Sequence, residues 1–345
     1  MTGYEIRAAT EADRAEIVAL QDSFLGAGTA GTASYLDWKY RANPYLDGRY
    51  SVVGRKDGEL VGMVGVFGSS WRAGDRRLVL PCVSETVIYP EHRGGPLFHL
   101  MLDEARALLR EGGVPWLLDF GDQGAGPAML LRGWREVGPW GQAALRRDKA
   151  VLTDMAWHQR PIAYGEASGL PLRCLPSTDI AAMAAVVRRL PVDGRLRPDR
   201  DETYFRRRAD NPLARYFHLV AGDDPQGYLI GHRSAVDTDE GDTPTTIVDV
   251  EAMSDEVFAD LVRTAYELLP GRVVLLWTRD LPPSRRTLLW ELGAEPDEPV
   301  GRFTRDKFLP NLMIRETGAP VPRGLPDPDR AGSWDMRGVS GRAWR

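Results

Sequence analysis

Cysteine and histidine are scarce in this 345-residue chain, which holds two of the first and five of the second. Cys82 and Cys174 are too few and too far apart for a disulfide framework or a zinc ribbon, so a reducing cytoplasm is the expected location. The histidines are scattered without ligand spacing, and no metal is expected. An excess of positive charge is also missing. With a net charge of -5 the chain does not suit nucleic acid, whose binding rests on neutralising phosphates. No apolar run reaches membrane-spanning length, and the first residues go straight into folded-looking sequence, so neither a membrane partner nor a signal peptide is expected. A Walker loop, HExxH and Gly-x-Ser-x-Gly are all absent, and Asp237–Asp242 reads as a solvated turn rather than a calcium loop.

What is present is concentrated between Cys82 and Arg110. Val83 to Tyr89 is an apolar, β-branched strand stopped by Pro90, which has no N–H for the next ladder bond. A turn carrying Arg93, Gly94 and Gly95 follows. Pro96 suits a first helical position, and Phe98, Met101, Ala105, Leu108 and Leu109 recur at helical spacing until Gly112 and Gly113. Such a junction exposes backbone N–H groups at the positive end of a helix dipole, which is a way to bind phosphate. Strand alternation places Glu85, Val87 and Tyr89 on one face and Ser84, Thr86 and Ile88 on the other.

Tyr89-Pro-Glu-His-Arg-Gly-Gly-Pro-Leu-Phe98 resembles the acyl-CoA-binding motif of the GCN5-related N-acetyltransferases (GNAT), in which a strand leads through Arg/Gln-x-x-Gly-x-Gly/Ala into a helix. Arg93 and Gly94 fit. Pro96 and Phe98 depart from the usual small residues, and Pro96 removes one amide donor. The resemblance implies acetyl-CoA as the acyl donor, held by Val87, Ile88, Tyr89, Arg93, Gly94, Gly95, Leu97, Phe98 and Asp122. It implies a mixed α/β fold in which two parallel central strands splay apart around the pantetheine arm. The second of those strands is the apolar run Trp116–Phe120, and Trp134–Val137 and Ala143–Arg146 supply the final strands.

The opening of the chain agrees. Tyr4–Arg7 alternates like a strand, and Thr10-Glu-Ala-Asp13 is a capping box before a helix with Ile17, Val18, Leu20 and Phe24 on its apolar side. Residues 26–33 read as a loop and Tyr35 to Pro44 as a short aromatic helix; the resemblance implies that this segment borders the acceptor side, which makes Tyr35, Trp38 and Tyr40 candidate substrate contacts. Strands at Tyr50–Val53, Leu60–Phe67 and Leu78–Val83 form a meander, the first two joined across Lys56-Asp57-Gly58.

The second half repeats the first. Leu172-Arg-Cys-Leu-Pro-Ser-Thr-Asp echoes the opening strand and cap, followed by a helix over 179–190. Tyr204 to Pro212 matches Tyr35 to Pro44, and Gly227–Gly231 echoes Glu59–Gly62. Ile247 to Val257 stands where the strand and phosphate turn belong, but it has no glycine or arginine and its turn is acidic, which repels a pyrophosphate. The expected organisation is a GNAT-like domain at 1–148, a linker at 149–171, a degenerate copy at 172–315 and an extended tail at 316–345.

Acyl transfer to an amine needs a base, an N–H donor for the oxyanion and an acid for the leaving thiolate. Glu85 is the first candidate base, with Asp119 and Asp122 in reserve. Met129 stands where the family places its general-acid tyrosine, leaving Tyr89 or water for that task. The oxyanion donor is expected near Val87 or Ile88. The chain therefore reads as an N-acyltransferase acting on a small-molecule amine, with a non-acetyl donor or a non-catalytic CoA-binding module as alternatives. Monomer and homodimer both stay open.

Overall fold

The structure, a computed structural model, describes residues 3–121, 126–139, 141–152, 163–234, 243–296 and 311–336. Its strands in chain order are β1 (Tyr4–Ala8), β2 (Val52–Lys56), β3 (Glu59–Ala73), β4 (Arg76–Ile88), β5 (Trp116–Gly121), β6 (Arg135–Pro139), β7 (Gln142–Val151), β8 (Ala163–Tyr164), β9 (Pro171–Leu175), β10 (Leu196–Pro198), β11 (Ala214–Ala221), β12 (Gly227–Ser234), β13 (Thr245–Ala252), β14 (Gly271–Trp277), β15 (Glu295–Pro296) and β16 (Asn311–Glu316). Its helices are α1 (Arg14–Leu25), α2 (Gly28–Leu36), α3 (Leu97–Glu111), α4 (Gly126–Leu130), α5 (Ile180–Arg189), α6 (Glu202–Ala209), α7 (Asp255–Leu268) and α8 (Pro283–Glu291).

Two compact units result, each built on a mixed sheet. The first comprises Met1–Gly138, Gly194–Pro198 and Asn311–Ser333, and the second Pro139–Asp193, Asp199–Pro310 and Trp334–Arg345. Strand order is β1-β2-β3-β4-β5-β16-β6 in one sheet and β15-β7-β14-β13-β12-β11-β9-β8 in the other, with β10 added to the far end of β3. The two orders coincide when β9, β11, β12, β13 and β14 are laid on β1 to β5. What differs is chain origin. Each unit's strand beyond the parallel pair comes from the other half: β16 flanks β5, and β7 flanks β14.

This exchange displaces the boundary expected at 148. Ala143–Arg146 lies in the second sheet, paired with Leu276 to Val273, and the first unit is completed by residues 311–333. Those residues are not a loose tail. Asn311–Glu316 pairs along the whole of β5, Arg135 binds Asp329 at 2.8 Å, and Arg76 donates to the Arg323 carbonyl.

In the first unit α3 carries the apolar spacing of its sequence into the core. Leu97, Met101, Ala105 and Leu109 have no exposed surface, and each such leucine adds about 1.5–3 kcal/mol of burial. Glycines let the helix lie close on the sheet. A Cβ at Gly54 would stand 2.5 Å from Leu97 Cδ1, and one at Gly62 3.2 Å from Met101 Cε.

Three local readings change. Leu78–Val83 and Val83–Tyr89 are one strand, β4. Residues 28–36 are helical rather than a loop, with Thr32 Oγ1 donating to Asp22 at 2.7 Å. Pro96 stands at the N-cap position of α3, one residue before its first turn, instead of inside that turn. The Thr10/Asp13 capping box forms, and Asp13 also accepts from Arg7 and Arg55.

The repeat holds down to side chains. Asn43 Oδ1 accepts from Tyr45 N, and Asn211 Oδ1 from Leu213 N. Tyr35 and Asn43 are separated by one residue more than Tyr204 and Asn211. The extra residue is taken up by a π-helical turn at Asp37–Arg41, the usual way for a helix to absorb an insertion.

Candidate active site

The site starts with a flaw in β4. Gly65 pairs with Ser84 and Met63 with Val87, so Glu85 and Thr86 together face Val64. This is a β-bulge, and Glu85 takes φ 43°, a left-handed conformation uncommon for a side chain of its size. The bulge overturns the expected alternation. Ser84 and Glu85 both bond Lys39, so they share a face, while Val83 and Ile88, five residues apart, meet in one core cluster beneath α3.

Residues from α1, α2 and the π-turn lock the bulge. Gln21 Nε2 donates to the Glu85 carbonyl at 2.8 Å. Glu85 Oε1 accepts from Tyr35 at 3.0 Å and Lys39 at 2.7 Å, and Oε2 from Tyr40 at 2.5 Å. Lys39 also donates to Ser84 Oγ at 2.7 Å. A π-turn brings side chains four and five apart into one cluster, so Tyr35, Lys39 and Tyr40 converge on one carboxylate. Burial pushes the Glu85 pKa up, but the Lys39 ammonium and the hydrogen bonds from Lys39, Tyr40 and Ser84 outweigh it and hold the group down at about 2. Burial first, and then the Glu85 charge, raise the Tyr40 hydroxyl well above its ordinary value. Tyr35, Trp38 and Tyr40 are all buried, Trp38 stacking on Tyr35 at 5.6 Å. Sequence reasoning missed Gln21 and Lys39. The basic centre shared by Tyr35–Pro44 and Tyr204–Pro212 is the signal by which Lys39 could have been found.

Beyond the bulge β4 and β5 part. Their parallel ladder holds only Cys82↔Leu118 and Val83↔Asp119, whereas β4 goes on pairing with β3 as far as Ile88. The Tyr89 N–H donates to the Val61 carbonyl, so alternation turns the peptide groups of Ile88 toward the gap. Arg93 Nε meets the Ile88 carbonyl there at 2.8 Å. Half-buried Asp119 stands at the last rung. Asp122 lies outside the described residues.

The gap leads to the turn. Gly94 has φ 75°; a Cβ there would meet nothing within 4 Å, and one at Gly95 only the His92 carbonyl at 4.0 Å, so the backbone is open to a ligand. Arg93, Gly94, Gly95 and Pro96 are exposed. The first helical bond runs from Leu100 N to Pro96 O, and Pro96 offers no side-chain cap, so the amides of Leu97, Phe98 and His99 are the free donors of a helix start. Phe98 is half-buried, and the Leu97 side chain is wholly buried under β2. Tyr89 turns to the α1 side, where with Glu16, Lys56 and His92 it lines an open groove of about 530 Å³. Met129 is buried in the core beneath α3.

The second unit keeps the frame without the opening. β12 and β13 bulge between Ile230 and Gly231, and β13 pairs with β14 only at Thr245–Ile247. Val248 follows Ile247 where Glu85 follows Ser84. The space between the strands is about 10 Å³, room for one water at most, and Met336 lines it together with Asp249, Trp277 and Asp280. The Met336 N–H donates to Asp280 Oδ2 at 2.8 Å. Helix α7 starts with no glycine, its Val257 amide is capped by Ser254, and Asp255 and Glu256 occupy its first turn. Arg200 is enclosed by Asp249 at 2.7 Å and Glu251 at 2.6 Å.

Known proteins of one family resemble this chain. The family model described as "Acetyltransferase (GNAT) domain" matches residues 5–121. Among solved structures, a GCN5-related N-acetyltransferase from Anabaena variabilis ATCC 29413 superposes with TM-score 0.64 at 14% identity, covering 91% of this chain and 73% of that one. A tandem GNAT protein from the clavulanic acid biosynthesis pathway gives 0.57 at 15% identity, over 92% of this chain and 100% of that one. Eis1 from Mycobacterium abscessus gives 0.53 at 15% identity, over 91% and 73%. No curated protein matches the chain. Residues 5–121 thus match the model of a GNAT acetyltransferase domain, and the chain shares the fold of a tandem GNAT protein over 92% of its length. Among the described residues no helix is long and apolar enough to cross a membrane.

Proposed function

We propose that the first unit transfers an acyl group, acetyl being the first candidate, from acyl-CoA to an amine of a small molecule in the cytoplasm. One observation carries this reading: the β4/β5 gap, which begins at the bulge, runs directly to an open glycine turn at the start of α3. Gly94, Gly95 and the first-turn amides of α3 hold the pyrophosphate, and the Thr86–Ile88 segment offers the backbone N–H for the thioester oxygen. The residues present fit the donor, since a side chain at Gly94 or Gly95 would crowd the turn from outside while nothing in the protein occupies that space.

The base in this reading is Asp119. Both oxygens of Glu85 are engaged by Tyr35, Lys39 and Tyr40, and a carboxylate held near a pKa of 2 is a poor acceptor for an ammonium proton. Glu85 is a positioning residue. It holds the bulge that parts the strands, and Tyr35 and Tyr40 serve it from beneath the cleft. Tyr89 faces a groove on the α1 side, so leaving-thiolate protonation falls to water. The second unit, whose strand gap leaves only about 10 Å³ and whose helix start is acidic, supports the fold and binds no CoA.

A thiol-release assay with acetyl-CoA and a panel of small amines and matched alcohols tests the reaction class. Turnover restricted to amines supports the reading. Release that is the same with alcohols or with water alone overturns the amine assignment.

A further inference from the structure

Helix α1 buries Ile17, Val18, Leu20 and Leu25, and with them one amide, that of Gln21. Gln21 has no exposed surface. Its Nε2 donates to the Glu85 carbonyl at 2.8 Å and lies 3.4 Å from Met63 Sδ, while its Oε1 is buried without a hydrogen-bond partner among the described residues. Exchanging the two amide atoms would set oxygen against oxygen at the Glu85 carbonyl, so this contact fixes the orientation. The unpaired Oε1 carries the desolvation penalty of a buried acceptor, which an apolar side chain in its place would avoid. The chain contains its own comparison. Helix α5, which follows β9 as α1 follows β1, buries Ala182, Met183, Ala184 and Val186, all apolar. There the strand gap is closed, and Val248 stands where Glu85 stands in the first unit. An amide is thus kept at the bulge that borders an open gap, at a cost to stability, and apolar packing replaces it in the copy without the opening.

We propose that Gln21 is a positioning residue for acyl transfer, which by holding the Glu85 carbonyl aims the Thr86 N–H at the thioester oxygen. The role rests on the acyl-CoA reading above. The peptide that joins Glu85 to Thr86 is trans and planar, so its C=O and N–H point in opposite directions. With the carbonyl drawn to α1, the N–H turns away from α1. On β3 Met63 faces Gln21, and its neighbour Gly62 faces Leu97 and Met101 of α3, so the two helices lie on opposite faces of the sheet. The Thr86 N–H is therefore directed to the face on which α3 and its open glycine turn lie. When the amine nitrogen bonds the thioester carbon, the carbonyl electron pair moves onto oxygen and the amine proton passes to Asp119. The pair returns as the C–S bond breaks, and the departing thiolate takes a proton from water. A donor fixed beforehand stabilises the oxygen charge without reorganising. The left-handed Glu85, at φ 43°, persists only where its surroundings over-determine it. Tyr35, Lys39 and Tyr40 fix its side chain, and Gln21 fixes its main chain.

Thiol-release kinetics with acetyl-CoA on the wild type, Gln21→Met and Gln21→Glu, with a thermal melt of each, test this. Gln21→Met keeps the length of the side chain without its donor. Its kcat is expected to fall about tenfold or more while KM for acetyl-CoA changes less than about twofold. In Gln21→Glu the protonated carboxyl donates to the Glu85 carbonyl as the amide does, and the ionised form repels it. Lys39 and Glu85, paired with each other, are the charged groups at this bulge, and burial favours the neutral acid. Relative to the wild type, kcat of Gln21→Glu is expected to stand near one at acid pH and to fall toward the Gln21→Met level as pH rises. Gln21→Met with the wild-type kcat, a loss confined to KM, or a Gln21→Glu enzyme no more active at acid pH than Gln21→Met overturns the role and leaves the acyl-CoA reading standing. Two variants that fail to fold make Gln21 a structural residue and overturn it as well. A wild type that releases no thiol with any acceptor overturns the acyl-CoA reading and this role with it.

Discussion

The Lys39 ammonium lies 2.7 Å from the Glu85 carboxylate, and both side chains are at most 5% exposed. The pair ties a π-helical turn to a bulged strand 46 residues further on. Breaking such a pair from one side leaves an uncompensated buried charge. Lys39→Met is expected to cost about 3–5 kcal/mol of stability, and Lys39→Met combined with Glu85→Leu to cost less than that single change. Urea denaturation of Lys39→Met, Glu85→Leu and the double variant checks this, and additive losses would mean the pair is not coupled.

The same pair sets an acid limit. The folded Glu85 pKa lies at about 2 against an ordinary value of 4.5. A depressed carboxylate contributes stability above its unfolded value and loses it as pH falls, so this contribution fades between about pH 4.5 and pH 2. In the second unit His218 bonds Thr178 at 3.0 Å, and burial holds its pKa down at about 4. The unfolded chain binds the extra proton first, so this unit loses stability already between about pH 6.5 and pH 4. Thermal melts of His218→Asn should show a flatter pH dependence in that upper window, and an unchanged slope would assign it to other groups.

Gly65 allows the Tyr40 hydroxyl to reach β3. A Cβ there would fall on that hydroxyl and 2.7 Å from the Ser84 carbonyl. At Gly54 the nearest atom is the end of a flexible leucine. Gly65→Ala is therefore expected to cost about 2 kcal/mol or more, and Gly54→Ala less, since overpacking against a mobile side chain is relieved more easily. Chemical denaturation of both variants gives the order, and a reversal would place the rigid contact elsewhere.

Asp119 stands at the last rung of the β4/β5 ladder and is the base of the proposed reaction. Asp119→Asn is expected to lower kcat by about 100-fold or more while the affinity for acetyl-CoA changes little. Glu85→Gln should instead show its effect mainly in stability. Steady-state kinetics and denaturation on both variants separate the roles, and a Glu85→Gln enzyme that is fully stable but inactive would return the base to Glu85.

The legible parts of the fold were those written in short-range pattern. The turn at Arg93–Gly95, the apolar stripe of α3, the capping box at Thr10 and the repeat of Tyr35–Pro44 in Tyr204–Pro212 all follow from spacing, proline and glycine. The faces of β4 were not legible, because a bulge adds a residue without any mark in composition and shifts the parity of every later position. Lys39 was read only as the basic centre of a helix, since its partner is fixed by tertiary contact. The exchange of β7 and β16 escaped for a related reason: either strand satisfies its sheet equally well by local sequence, and only the three-dimensional frame decides which half receives it. That exchange has a test of its own. Residues 1–151 alone lack the strand between β5 and β6, so this fragment should fail to give a cooperative melt until a 311–333 peptide is added.

The most direct test of acyl-CoA binding at the glycine turn is calorimetric titration of acetyl-CoA into the wild type and an Arg93→Glu, Gly94→Asp variant. Micromolar binding at one site per chain, abolished in the variant, is the expected result. Absence of binding to the wild type, or equal binding to both proteins, would contradict it.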